Sequence, residues 1–263
     1  MRFKIHLGVA RGSVLPINYQ YPISSWIYKS INRADSEFAK FLHEKGYTGP
    51  KEGKPFKFFT FSKLVIPKRE IFEDRLIIKC PVIYFEVSFL IEEAVEKFIT
   101  GIFQNQYFGI GDKKSNVDFE VMGIEARPIS IESDEVKVTT HSPIVVCQPE
   151  HLNGKLRAKY LSPLDSNYKK YFLRNLIRKT ENYCAFTGNS IDPKWSNVLD
   201  WELLNSKVKS RMETIKADTP QQTKVRGYEY NFKIKAPKSI IEIGLASGFG
   251  EKNSLGFGCA DII

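Results

Sequence analysis

The chain has 263 residues, enough for one large domain or two small ones, and its 42% hydrophobic and 13% aromatic content can bury real cores, which excludes a disordered chain. Its 39 Lys and Arg against 30 Asp and Glu leave a net charge of +9, a surplus that attracts polyanions, nucleic acid foremost and an anionic membrane surface second. No run reaches the roughly 20 apolar residues of a membrane span, and the opening MRFKIHLGVARG lacks the apolar stretch of a signal peptide, so the expectation is a soluble, cytoplasmic protein.

In chain order, residues 2–9 put Phe3, Ile5, Leu7 and Val9 on one face, the period of a half-buried strand. PISSWIYKSIN then places Ile23, Trp26, Ile27 and Ile31 at helical spacing, and Asp35 can cap a second short helix that carries Phe38, Phe41 and Leu42 and stops at Lys45-Gly46. After a Lys- and Gly-rich loop, FKFFTFSKLVI reads as a hairpin, Leu76–Phe89 as a strand, Ile91–Thr100 as a helix and Val117–Ile124 as a strand. That order is the βαββαβ plan of a ferredoxin-like domain, which is also the plan of the RNA-recognition motif. The pattern restarts near Glu125–Pro128. Val136–Thr140 and Ile144–Cys147 are strand-like, Asp165–Asn182 is helical, Lys207–Lys216 and Lys224–Lys235 alternate as paired strands, and Gly256–Ile263 ends the chain as a strand. The expected class is therefore α+β, two tandem ferredoxin-like domains at 1–125 and 126–263.

Cys80, Cys147, Cys184 and Cys259 lie far apart, with no CxxC pair and no His at ligand spacing, so buried reduced thiols are expected rather than a zinc site or a disulfide. No cofactor or metal is expected.

The stretch GFGEKNSLGFG at 248–258 tests the nucleotide-binding reading directly. Asn253 stands where a Rossmann fingerprint needs its third glycine, and Lys252 is followed by Asn253 where a Walker A loop needs Ser or Thr. Only Cys259–Ile263 follow, too short for the helix that either site requires. What remains is a loop whose glycines Gly248, Gly250, Gly256 and Gly258 leave backbone uncovered, with Lys252, Asn253 and Ser254 at its tip. Such a loop can lay N–H groups along a phosphate chain, or it can be a tight connection packed between two domains.

Two Gly-Phe-Gly triplets five residues apart at the C-terminus resemble the signature loop of the RAMP superfamily of repeat-associated RNA-binding proteins. MRFKIHL, PINYQYPISSWIYKSI and FAKFLHEKGY, with TTHSPIVV and VRGYEYNFKIK further on, are similar to one branch of it, the CRISPR-associated endoribonucleases of family six. The resemblance implies metal-independent cleavage of CRISPR repeat RNA into guide RNAs, leaving a 2′,3′-cyclic phosphate and a 5′-hydroxyl. It also implies a His, Tyr and Lys site, here His43 in KFLHEKGY and Tyr28 in SSWIYKSI. For the lysine, Lys51 fits by its GPK context, Lys57 by its place before FFTFS, and Lys54 lies between them.

The residue chemistry agrees with that implication. Cutting RNA without a metal needs a proton shuttle near neutral pH, which histidine supplies with an ordinary pKa of about 6.5. Of the four histidines, His6 lies in the first strand, His141 precedes Ser-Pro at a strand break and His151 falls in a polar loop. His43 ends a predicted helix, where the last carbonyls favour imidazolium, and a lysine-rich loop follows. A loop lysine would neutralise charge on the pentavalent phosphate, and Tyr28 would orient phosphate or imidazole.

Three basic clusters lie in the second half. Lys170, Arg174 and Arg178 share a helix edge, Lys207, Lys209 and Arg211 share a strand face opposite Val208 and Met212, and Lys155, Arg157 and Lys159 form a third. With the loop residues 248–258 they make an RNA-binding surface the expectation; phosphate contacts of this kind give affinity and salt dependence without sequence preference. The rival reading is a non-catalytic repeat-RNA binder or a scaffold subunit of a guide-RNA effector complex. A homodimer is compatible with such domains, though no residue argues for one.

Overall fold

In the computed structural model, which describes every residue except 50–53, 153, 191–192, 206 and 218, the first strand is the one its alternation predicts. β1 (Arg2–Val9) buries Phe3, Ile5, Leu7 and Val9. After β2 (Val14–Pro16), α1 (Gln20–Ala34) turns Ile23, Trp26, Ile27 and Ile31 inward, the stripe expected of an amphipathic helix. Asp35 ends α1 in extended backbone, and its carboxylate accepts the Phe38 N–H at 2.9 Å, capping α2 (Ser36–Lys40). α2 then widens into one π-helical turn, Phe41–Lys45, closed by the Gly46 N–H on the Phe41 carbonyl at 2.7 Å.

The rest of this half comprises β3 (Phe59–Phe61), β4 (Arg69–Phe72), β5 (Arg75–Ile78), β6 (Val82–Phe89), α3 (Glu92–Gln104), β7 (Tyr107–Gly111) and β8 (Asn116–Arg127). The main sheet has the order β3-β6-β1-β8-β7. Taking β1, β3, β6 and β8 as the four strands of the plan, with α1 and α3 as its crossovers, gives the spatial order 2-3-1-4, all antiparallel. That is the ferredoxin-like arrangement.

The second half repeats it. β9 (Glu135–Thr140), β10 (Cys147–Leu152), β11 (Lys155–Tyr160), α4 (Tyr168–Thr187), β12 (Asp200–Leu203), β13 (Lys209–Ile215), β14 (Thr223–Glu229), β15 (Asn231–Lys235), α5 (Lys238–Ser247) and β16 (Ala260–Ile262) follow in order. The sheet order β12-β15-β9-β16 is again 2-3-1-4, with α4 and α5 as crossovers and the hairpins β10–β11 and β13–β14 as insertions.

Several expectations change. FKFFTFSKLVI is no hairpin: β3 runs beside β6, and Val65 bridges to Tyr84 of the same strand. Ser62-Lys63 offers none of the Gly, Asn or Asp that a two-residue hairpin turn needs. The strand expected at 76–89 breaks before β6 at Pro81, which has no N–H for a ladder, and β5 joins a separate sheet of order β2-β5-β4. Lys224–Lys235 divides at Tyr230, so β14 pairs with β13 while β15 enters the main sheet. His151 lies in β10 and not in a loop, and Lys207 precedes β13. Cys80 and Cys259 are buried thiols, while Cys147 and Cys184 are only half-buried.

The two units are locked together by Arg2. Its guanidinium donates to Ser88 Oγ at 2.9 Å and the Ala260 carbonyl at 2.6 Å, and it pairs with Asp261 at 2.8 Å. Beside it Glu86 meets His141 Nδ1 at 3.0 Å and Arg127 at 3.2 Å; although burial pushes its carboxyl up, the His141 hydrogen bond and the Arg2 and Arg127 charges hold it below the usual range. No helix among the described residues is long and apolar enough to cross a membrane.

Candidate active site

His43 occupies the third position of the π turn and is exposed. Such turns carry an extra residue per turn and often mark functional positions. Its ring meets that of Tyr28, from α1, edge to face, with centroids 5.2 Å apart and planes at 85°. Tyr28 is itself held by Phe59 of β3 at 5.5 Å. Burial pushes its phenol up to about 12, against the opposing pull of the Ser254 hydroxyl, so at neutral pH it is a hydrogen-bond donor.

The lysine comes from the chain just before β3. Lys57 Nζ donates to the carbonyl of His43 at 2.8 Å, and burial lowers its pKa. Gly46 makes this crossing available: its φ is +65°, and a Cβ there would lie 2.9 Å from Lys57 Nζ. Lys54 is exposed, and Lys51 lies outside the described residues. The structure therefore brings together His43, Tyr28 and Lys57 from three separate segments.

The glycine-rich loop closes the other side. Gly248, Gly250, Gly256 and Gly258 are all buried, and what they approach is the protein itself. A Cβ on Gly256 (φ +87°) would sit 2.6 Å from the Phe61 ring. The two triplets are tied to each other: the Phe249 N–H donates to the Gly258 carbonyl at 2.9 Å, and the Asn253 amide donates to the Phe249 and Phe257 carbonyls at 3.0 Å each. Phe249 enters the second core against Phe172 and Phe232, and the Phe257 carbonyl receives Thr60 Oγ1 of β3 at 2.9 Å. Gly248 and Gly256 pack against Thr60 and Phe61 of the first unit, whereas Gly250 and Gly258 approach Val145 and Phe249 of their own. The tip, Lys252, Asn253 and Ser254, stays half-exposed, and the Ser254 carbonyl receives Ser24 Oγ of α1 at 2.6 Å beside Tyr28.

One residue here is absent from the sequence reading. Lys179 of α4 is buried, and its Nζ donates to the Gly248 carbonyl and to Asn253 Oδ1, the latter at 2.9 Å. Desolvation lowers its pKa to about 7, and Glu251 supplies the opposing field. The signal was readable: Phe172, Leu176, Lys179 and Thr180 fall on one buried stripe of α4, so a lysine stands where a hydrophobe is expected.

Two other histidines are engaged with carboxylates. His6 Nε2 meets Glu125 at 2.7 Å, and His141 belongs to the Arg2–Glu86 lock. Of the basic clusters, Arg157 and Lys159 are exposed on β11, Lys209 and Arg211 on β13, and Lys170 and Arg174 on α4; Lys207 is exposed and Arg178 half-buried. The side chain of Lys155 is outside the described set, though its backbone lies in β11. The hairpins carrying two of these clusters touch where Tyr160 donates to the Lys224 carbonyl at 3.4 Å. Glu229 partly neutralises Arg211 at 3.5 Å, and Met212 is 46% exposed rather than turned into a core.

Two ferredoxin-like units clasped by a buried double Gly-Phe-Gly loop define a protein of the RAMP class. Residues 14–124 match the family described as CRISPR-associated protein Cas6, N-terminal, and residues 125–262 the one described as CRISPR associated protein Cas6, C-terminal. The chain belongs to the Cas6 family. It is 31% identical to the CRISPR-associated endoribonuclease Cas6 1 of Methanocaldococcus jannaschii over 98% of this chain and 91% of that one. It is 28% identical to a putative CRISPR-associated endoribonuclease-like protein Cas6 of Pyrococcus furiosus over 100% and 99%. Among solved structures, a Cas6-related protein of Pyrococcus furiosus superposes with a TM-score of 0.82 at 28% identity, covering 100% and 98%. An RAMP protein described as binding different RNA substrates superposes at 0.80 with 26% identity, covering 100% and 99%.

Proposed function

We propose that this protein is a metal-independent endoribonuclease that cuts CRISPR repeat RNA, with residues 1–125 supplying the chemistry and residues 126–263 most of the basic surface. The observation that carries the reading is the convergence of an exposed imidazole, a protonated phenol and an ammonium at His43, Tyr28 and Lys57. A binder has no need of a proton shuttle so placed.

The reaction balances on these groups. The 2′-OH of one nucleotide loses its proton and its oxygen attacks the adjacent phosphorus; the P–O5′ bond breaks and O5′ takes up a proton. The products are a 2′,3′-cyclic phosphate and a 5′-hydroxyl. His43 is the proton carrier, accepting from the 2′-OH or donating to O5′. Lys57 offsets charge developing on the phosphorane, a role worth about a hundredfold or more when one such donor is lost. Tyr28 donates to a phosphate oxygen or fixes the imidazole. The half-exposed loop tip 252–254 and the exposed Arg157, Lys159, Lys170, Arg174, Lys209 and Arg211 would hold the phosphate chain.

The test is to incubate the protein with CRISPR repeat RNA in EDTA and analyse the new ends. Cutting at one position that leaves a cyclic phosphate and a 5′-hydroxyl is expected. A 3′-hydroxyl with a 5′-phosphate, or a requirement for added metal, would contradict the mechanism. Binding without cutting would make the chain a repeat-RNA binder or scaffold.

A further inference from the structure

We propose that Lys179 is a positioning residue for the cleavage reaction, holding the tip of the glycine-rich loop in the place where Ser254 meets Tyr28. This rests on the function proposed above.

The argument is a continuous line of contacts across the two units. Lys179 Nζ donates to the carbonyl that opens the loop, at Gly248, and to the side chain at its middle, Asn253 Oδ1. The other end of the same amide donates to the Phe249 and Phe257 carbonyls, so one side chain sets the spacing of both arms. Ser254 follows directly. Its carbonyl receives Ser24 Oγ, and its hydroxyl bears on the Tyr28 phenol, whose ring stands against His43. Lys179 also faces the ring of Phe56 at 5.7 Å, the residue before Lys57. A single buried side chain from α4 thus binds the loop that reaches Tyr28 and faces the ring next to Lys57.

A lysine in such a place is costly. Removing an ammonium from water is unfavourable unless specific acceptors replace it, and a Leu or Met at 179 would fill the stripe without that cost. Burial lowers its pKa, and the neutral amine keeps two N–H donors, matching the two acceptors supplied by Gly248 and Asn253. Glu251, on the loop itself, is the acid whose field reaches it. A donor kept at this cost acts on the loop it binds rather than on packing alone.

The test compares wild type with Lys179→Met, which keeps the length and removes the donor. Single-turnover cleavage of repeat RNA is measured beside the affinity for the same RNA carrying a 2′-deoxy nucleotide at the cut. Small misplacements at an active site cost up to about a hundredfold, so the rate should fall at least about tenfold while affinity changes less than about threefold. Ser254→Ala should slow Lys179→Met by less than it slows wild type, because both act along one line. A rate within about twofold of wild type, equal losses of rate and affinity, or full additivity would overturn the role of Lys179 while the enzyme still cuts. A wild type that cuts nothing would instead remove the proposed reaction and this role with it. If Lys179→Met does not fold, Asn253→Ala, which removes the lysine's side-chain acceptor, should lower the single-turnover rate at saturating protein by at least about tenfold, and a rate within about twofold of wild type would overturn the role.

Discussion

His43 and Tyr28 meet edge to face with ring centroids 5.2 Å apart, one from a π-helical turn and the other from α1. The contact orients an exposed imidazole, and among the described residues no hydrogen bond takes up either of its nitrogens. Proton carriage needs that freedom, since a ring nitrogen already committed to a carboxylate, as in His6 with Glu125, is less available.

Tyr28→Phe separates the ring from the hydroxyl. The edge contact with His43 and the packing on Phe59 survive, so unfolding stability should stay within about 1 kcal/mol. Cleavage should slow about tenfold or more through loss of the donor. Thermal melts and single-turnover rates check both halves; a rate equal to wild type would reduce Tyr28 to packing.

Lys57→Met should cost about a hundredfold in rate with little change in affinity. The pH dependence has a defined sign. Because burial lowers the Lys57 pKa below the ordinary 10.5, its charged form is lost earlier on raising the pH, and the rate should fall on an alkaline limb displaced downward from that of an exposed lysine. Rate–pH profiles of wild type and Lys57→Met check this: the variant should lack that limb.

Gly46→Ala should reproduce much of that loss from a residue with no chemistry of its own. Its backbone, at φ +65° and ψ −167°, lies in a region essentially reserved for glycine, so the substitution should destabilise by about 1–3 kcal/mol. The new Cβ would stand 2.9 Å from Lys57 Nζ and push it off the His43 carbonyl. Combined with Lys57→Met it should slow the reaction little further, which paired rate measurements would show.

Lys179 makes stability depend on pH. Its folded pKa, about 7, lies below its ordinary 10.5, so between these values the unfolded chain holds a proton that the folded chain has shed. Stability from this group therefore rises with pH across that window and is flat below it, by up to about 1.4 kcal/mol per pH unit. Denaturant midpoints of wild type and Lys179→Met should diverge from about pH 7 to about pH 9, wild type gaining. A constant difference would contradict the assignment.

Much of this arrangement was legible before any coordinates. The alternation of β1, the apolar stripe of α1 and the Asp35 cap are local signals, and local signals survive tertiary context here. The helix α5 did not announce itself because Ile240, Ile241, Ile243 and Leu245 are all buried, and a segment buried nearly all round shows no period. His43 could be named because the end of a helix and a family likeness both point to it, and Tyr28 from the likeness alone. Their contact depends on a π turn, which no propensity specifies. Of the three loop lysines, Lys57 reaches the His43 carbonyl and Lys54 is exposed, while Lys51 lies outside the described residues; that reach is a distance in space which no local signal in the sequence gives. The glycines were readable as close approach, but what they approach, Phe61 in one unit and Val145 in the other, is a tertiary fact.

The most direct measurement is single-turnover cleavage of a CRISPR repeat RNA by His43→Ala beside wild type, with affinity taken on the 2′-deoxy RNA. The account predicts affinity within about threefold of wild type and a rate lower by at least about a hundredfold, the range general acid–base groups supply. A variant that cuts within about tenfold of wild type would contradict it and place the proton carrier elsewhere in the molecule.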